Sequence, residues 1–310
     1  MKSGLLVLIL TAAILLSGCS KFAARQPDEN ALPELEYTRP GTEKIEDRES
    51  QKTIKSQGKL SDGLDYILYV SNELEISGSA LTCRLKSEKN LTDALKDATV
   101  LTLNVEEIGD SSCGGLSGIQ KINFGPNVRT IGNSAFSKCT ALDAVEFPAS
   151  LETIGSYAFQ GCTSLWSADI PNTVTSMGIY VFTGCDSLLE VEIDGDVCES
   201  SFSSCTALLK VTFTENCHVI NAGAFQGCTG LRNLNLGTNV ERIEERAFSD
   251  CTSLSYIYFT KNLTYIGHMA FSGVSSLSGV EYEDRAAYRR CKRETDYARQ
   301  SNLANFYPAY

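Results

Sequence analysis

The sequence has two histidines (His218 and His268), one tryptophan (Trp166) and three methionines, and no Cys-x-x-Cys despite twelve cysteines. Structural zinc sites draw their ligands from close pairs, so these absences argue against a metal centre. Gly-x-Ser-x-Gly, a Walker loop and His-Glu-x-x-His are missing as well, which removes the hydrolase, nucleotide and metalloprotease signatures. Positive charge is short: 27 Lys and Arg stand against 38 Asp and Glu, a formal charge of −11. That balance argues against a general nucleic-acid binder, which would normally show a basic face. His218 falls in a turn and His268 after an Ile-Gly pair, neither with a nameable partner, and no two carboxylates are marked as an acid–base pair. The chain reads as non-enzymatic, with no cofactor, no metal and no catalytic residue.

The N-terminus carries Lys2 and then an apolar run from Leu5 to Leu16. This suits the core of a signal peptide and is too short for a resident membrane helix. The run ends in Leu16-Ser17-Gly18-Cys19, which resembles the bacterial lipobox. That resemblance implies a signal peptide over residues 1–19 and a diacylglycerol on the Cys19 thiol; the alternative is an ordinary secretory signal with a chance cysteine. Residues 20–60 are polar, mixed in charge and interrupted by Pro27, Pro33 and Pro40. They bury too little to fold and read as a disordered tether, spanning roughly 35 Å as a flexible coil.

The rest of the chain repeats. Phe136, Phe159, Phe182, Phe202, Phe225, Phe248 and Phe271 follow one another at spacings of 23, 23, 20, 23, 23 and 23, and Cys113 stands 23 before the first. Three residues after each lie Leu116, Cys139, Cys162, Cys185, Cys205, Cys228, Cys251 and Val274, and three further on an Ile or Leu. Five before each stands Ile108, Ile131, Ile154, Met177, Val197, Ile220, Ile243 or Ile266. A period sustained over eight registers specifies a solenoid whose rungs contact only their neighbours. The single 20-residue spacing removes three residues between Ile193 and Val197, which predicts a tighter turn there.

The unit Ile-Gly-x-x-Ala-Phe-x-x-Cys-x-x-Leu, seen in Ile154-Gly155, Ala158-Phe159, Cys162 and Leu165 and continued by Ile170-Pro171, resembles the BspA-like leucine-rich repeat family. The resemblance covers about residues 98–283. It implies a leucine-rich repeat solenoid of the α/β type, with ~23-residue rungs, short parallel strands and short helical turns such as Ser134–Cys139. Residues 66–78 resemble the β-hairpin that opens the array in that family. An N-terminal cap is expected over 61–97 and a C-terminal cap over 284–310, with a helix through Ala286–Ala298 that carries Arg285, Arg289, Arg290, Lys292, Arg293 and Arg299. Cys198, Asn221 and Glu244 replace the Gly of the Ile-Gly pair, which argues against a strict left-handed backbone there. The ladder cysteines read as small, inert core residues in poor disulfide geometry, and Cys162→Ser is expected to bury a hydroxyl without an assured partner. Pairing among Cys83, Cys198 and Cys291 is left open.

With no chemistry to assign, function falls to the surface. One outward row of the strands reads Asn123, Glu146, Asp169, Glu192, Thr212, Asn235, Tyr258, Glu281, and a parallel row holds Tyr256. Just after the ladder Leu, Trp166, Leu189 and Leu209 place apolar side chains on three successive rungs. Trp and Tyr dominate binding hot spots, so Trp166, Leu189, Leu209, Tyr256 and Tyr258, with Glu146, Asp169 and Glu192, are the candidate binding residues. The family resemblance implies a protein ligand, host extracellular matrix or another envelope component, and an adhesin-like protein held in the outer membrane or at the cell surface by lipid on Cys19. Structural scaffolding in the envelope and carbohydrate binding through Trp166 and the Tyr pair are the competing readings.

Overall fold

The computed structural model describes residues 53–283. The signal segment with Cys19, residues 20–52 of the expected tether, and the stretch 284–310 with its expected helix and basic cluster lie outside them.

Strands β1 (Ile54–Lys59), β2 (Asp65–Tyr69) and β3 (Glu73–Ser77) form an antiparallel meander. Residues 54–59, read from sequence as the end of the tether, are therefore a strand. The segment IKSQGK is almost wholly exposed and polar, so no alternation marked it; its two lysines suit a sheet edge kept from further pairing. β2 and β3 are the hairpin over 66–78. β3 then pairs in parallel with Val100–Asn104, so the meander and the repeats share one sheet. Between them lie two single 3₁₀ turns and α1 (Thr92–Asp97).

The rungs stack in register. Ala144, Val145 and Glu146 pair with Ser167, Ala168 and Asp169, so a displacement of 23 in sequence is one step along the solenoid. The first sheet runs β1, β2, β3, then 100–104, 121–124, 144–146 and 167–169. The same face continues in strands 190–193 and 210–213, and then in 233–235, 256–259 and 279–282. The Ile slot makes a second parallel ladder of two-residue strands, among them Thr130–Ile131, Thr153–Ile154 and Ser176–Met177. The sequence reading placed only one strand in each rung.

The expected helical turn around the Phe is absent. Each rung instead makes a flat loop bracketed by two left-handed residues, two before and two after the Phe slot. Ser134 (φ 53°) and Lys138 (φ 61°) flank Phe136, and Tyr157 (φ 61°) and Gly161 (φ 69°) flank Phe159. Backbone amides of these loops reach forward to the next rung, as Phe136 N to Ala158 O at 2.8 Å, giving a third ladder. A helix would direct those amides within its own rung, whereas alternating left-handed residues turn them toward the neighbour. The fold is a leucine-rich repeat β-solenoid with little helix, rather than the α/β type.

The core is one continuous column. Successive Phe rings stack with centroids 5.2–5.5 Å apart from Phe136 to Phe271. The glycine of the Ile-Gly pair answers to close approach. A Cβ on Gly155 would stand 2.6 Å from Asn133 N, and Gly155 has no positive φ. Where Asn221 takes this slot, its Nδ2 donates to Val197 O at 2.9 Å.

Candidate protein-binding face

The row before the strands is built by backbone bonds. Trp166 N donates to Asp143 O at 2.9 Å, Leu189 N to Trp166 O at 3.3 Å and Leu209 N to Leu189 O at 2.8 Å. Trp166, Leu189 and Leu209 thus occupy one register on three successive rungs. Leu209 is 46% exposed, and Trp166 and Leu189 are half-buried. Preceding rungs put Gln120 and Asp143 in the same register, so water is the normal neighbour of this position and the three apolar residues are an exception to it.

Beside this row the strands turn carboxylates outward. Glu146 and Asp169 are register partners, Glu192 pairs with Thr212, and Glu190 with Lys210. Glu146, Asp169, Glu190 and Glu192 are exposed, and none forms an ion pair among the described residues. The patch is apolar at its lip and negative on its floor. Tyr256 and Tyr258 lie on the same face, half-buried, but four rungs away from Trp166, about 19 Å at ordinary strand spacing. The structure joins Trp166, Leu189, Leu209, Glu146, Asp169 and Glu192, and leaves the Tyr pair apart.

The sequence reading missed another aromatic feature. Tyr157 and Tyr180 stack with centroids 5.1 Å apart and planes 2° from parallel, next to the 38% exposed Ile179. They sit on the loop side, each in the first left-handed slot. Their 23-residue separation was visible in the sequence, but nothing there marked the slot as outward.

The described thiols lack the exposure and lowered pKa of reactive cysteines. Cys139, Cys162, Cys185, Cys205, Cys228 and Cys251 are buried and free, and Cys83 and Cys198 are free as well; Cys291 lies outside the described residues. Burial pushes Cys139 up to about 11 and Cys251 up to about 12, because the thiolate loses its hydration. Each ladder Sγ donates to a carbonyl of the preceding rung, at 3.1–3.3 Å. The hydroxyl of a serine in this slot therefore has a partner, contrary to the expectation from sequence.

Among the described residues, no group of three or more His, Cys, Asp or Glu is placed to hold a metal ion, and no helix is long and apolar enough to cross a membrane.

A stack of in-register rungs with a Phe column, a buried Cys slot and an open strand face defines a leucine-rich repeat solenoid, the architecture generally used for protein–protein interaction. Residues 94–199 and 194–288 match the BspA type leucine-rich repeat region, and the chain belongs to that family, which is non-catalytic. No curated protein shows a significant match. Among solved structures, a leucine-rich repeat protein from Bacteroides ovatus is 26% identical (TM-score 0.40), the match covering 59% of this chain and 60% of that one. The Treponema pallidum leucine-rich repeat protein is 20% identical (TM-score 0.43), with 77% and 92% covered. A leucine-rich cell surface protein from Faecalibacterium prausnitzii is 16% identical (TM-score 0.33), with 76% and 97% covered.

Proposed function

We propose that this protein is a lipid-anchored binding scaffold of a bacterial cell envelope, adhesin-like, that grips a protein ligand on its strand face. The observation that carries the reading is the apolar row Trp166, Leu189, Leu209, held in one backbone register beside carboxylates that form no ion pair among the described residues. A rigid repeat scaffold suits this use, because little ordering cost remains when a ligand docks. The lipobox-like Leu16-Ser17-Gly18-Cys19 supplies the anchor and residues 20–52 the reach. The meander with residues 85–97 covers one end of the column.

The test is capture of partners from host-matrix and envelope extracts by the chain from Ser20 onward, which retains β1, with Trp166→Ala as the control. A matrix protein captured by the parent and lost by the variant supports the adhesin. An envelope component with the same dependence makes it an internal scaffold. Capture that ignores Trp166 moves the site off this face.

A further inference from the structure

The short repeat does more than tighten a turn. Three residues before the Ile slot, six of the eight rungs place a buried apolar residue: Val105, Val128, Leu151, Cys217, Val240 and Leu263. The shortened rung has Asp194 there, and it is exposed. Its carboxylate turns to the following rung, accepting from Thr214 Oγ1 at 2.6 Å and Asn216 Nδ2 at 2.8 Å. Asp196 leans the same way, accepting from the amides of His218 and Val219 at 2.9 and 2.7 Å. The turn 194–196 thus swings away from the rung below it.

What it leaves is a wedge. Val128 and Leu151 are 0% exposed, yet Val174 in the same slot is half-exposed, and so is Met177 where Ile131 and Ile154 are covered. Both strand ladders stop at this step: the first sheet ends at 167–169 and the second at 176–177. The loop side stays closed, with Phe182 N to Ser201 O at 2.8 Å and Phe182 stacked on Phe202 at 5.5 Å. A cleft of about 400 Å³ opens between segments 170–177 and 192–198. Ile170, Val174, Met177 and Ile193 form its apolar floor, and Glu192, with the Oδ2 atoms that Asp194 and Asp196 do not give to the following rung, forms its acidic rim.

We infer that this cleft takes a lysine or arginine side chain of the bound protein partner, the aliphatic stem lying on the apolar floor and the charged head reaching the carboxylate rim. An apolar trough ending in negative charge matches those amphipathic side chains, with a long apolar stem and a cationic tip. Lys210, the register partner of Glu190, lies on the next strand and does not pair with any rim carboxylate among the described residues. The cleft opens at the C-terminal end of strands 167–169 and 190–193, whose N-terminal ends follow Trp166 and Leu189, so the inference rests on the reading of that face as the binding surface and names what its partner must present.

The test titrates the full-length protein with fluorescein-labelled Gly/Ser octapeptides that carry one central Lys, Arg, 2,3-diaminopropionate, citrulline or Glu. Lys and Arg peptides should bind at least about tenfold more tightly than the diaminopropionate peptide, which has the charge without the stem, and the citrulline peptide, which has the stem without the charge. Glu192→Gln should weaken the Lys and Arg peptides by about tenfold. Thr175→Lys, which sets a cation in the mouth, should abolish their binding with the melting curve unchanged. Equal binding of the lysine and diaminopropionate peptides would reduce the cleft to general attraction by an acidic face and overturn the inference. So would the absence of binding by every peptide, or indifference to both Glu192→Gln and Thr175→Lys. Trp166-dependent partner capture alongside any of those results would leave the face reading standing and the cleft inference refuted.

Discussion

The Cys162 thiol lies 3.2 Å from the carbonyl oxygen of Phe136, which also accepts the amide of Cys139. One carbonyl so closes its own turn and receives the next rung. Cysteine suits the slot because it is small, nearly apolar and a weak donor. The Val274 and Leu116 slots manage without the bond, so it adds to the stack without creating it.

Cys162→Ser keeps a donor for Phe136 O and should cost roughly 1 kcal/mol, below the ~3 kcal/mol of an unpartnered buried hydroxyl. Denaturant midpoints of Cys162→Ser and Cys162→Ala should agree to about 1 kcal/mol. A loss well above 3 kcal/mol for the serine variant alone would show that the bond is not formed. Alkylation of Cys139 and Cys162 should be negligible in the native protein at neutral pH and fast in denaturant.

Gly155 and Gly161 should fail differently. In Gly155→Ala the new methyl meets the backbone of Asn133 and Gly132 at 2.6 Å, and the rungs must separate. We expect a loss of about 2 kcal/mol or more, in the range of overpacking. Gly161→Ala has only a side-chain carbon, 3.6 Å away, but φ is 69°; its cost should be about 1 kcal/mol, that of a left-handed Ala. Thermal melts of the two variants decide, and the reverse order would show that neighbouring rungs yield to a methyl more easily than the left-handed backbone does.

Asp62 ties the β1–β2 turn to the segment before the first 3₁₀ turn. Its Oδ2 accepts the amides of Thr82 and Cys83 at 2.9 and 3.0 Å. Burial acts to raise its pKa, but the bonds from Cys83, Thr82 and Leu64 together outweigh it and hold the carboxyl below the usual 3.8. A depressed folded pKa contributes stability that is present above the unfolded value and lost as pH falls through the folded one. Protection of the Thr82 and Cys83 amides from hydrogen exchange should therefore decline below about pH 4. Asp62→Asn should lower that protection at neutral pH and flatten its pH dependence; an unchanged profile would show that the carboxylate does not hold this segment.

Trp166→Ala and Leu209→Ala should weaken a captured partner by about thirtyfold or more, the cost of truncating an anchor, with melting temperatures little changed. Tyr256→Ala/Tyr258→Ala, four rungs off, should matter only to a ligand long enough to span that distance. Affinity lost together with an early melt would show the apolar row to be structural.

Cys19→Ala should abolish incorporation of labelled lipid and release the chain from membranes, or leave an uncleaved precursor. Unchanged acyl labelling and membrane retention in that variant would sink the anchor.

Period, slot identity and inward phasing were legible in the sequence because a solenoid writes each structural demand eight times. Phe, Cys, Leu and Ile recur where one column needs them, and the outward row from Asn123 to Glu281 followed from strand alternation alone. Backbone conformation was not legible. Ser134, Tyr157, Arg246 and Met269 all take a left-handed φ without belonging to the residue types that favour it, because hydrogen bonds to neighbouring rungs outweigh local preference. Strand β1 was hidden for a related reason: its polar residues pair through backbone that carries no pattern. The three missing residues before Val197 were plain to see, yet they read as a tighter turn. That the turn leans toward Thr214 and His218 and uncovers Val174 depends on which neighbour satisfies Asp194 and Asp196, a choice between two rungs that exists only once the rungs are stacked.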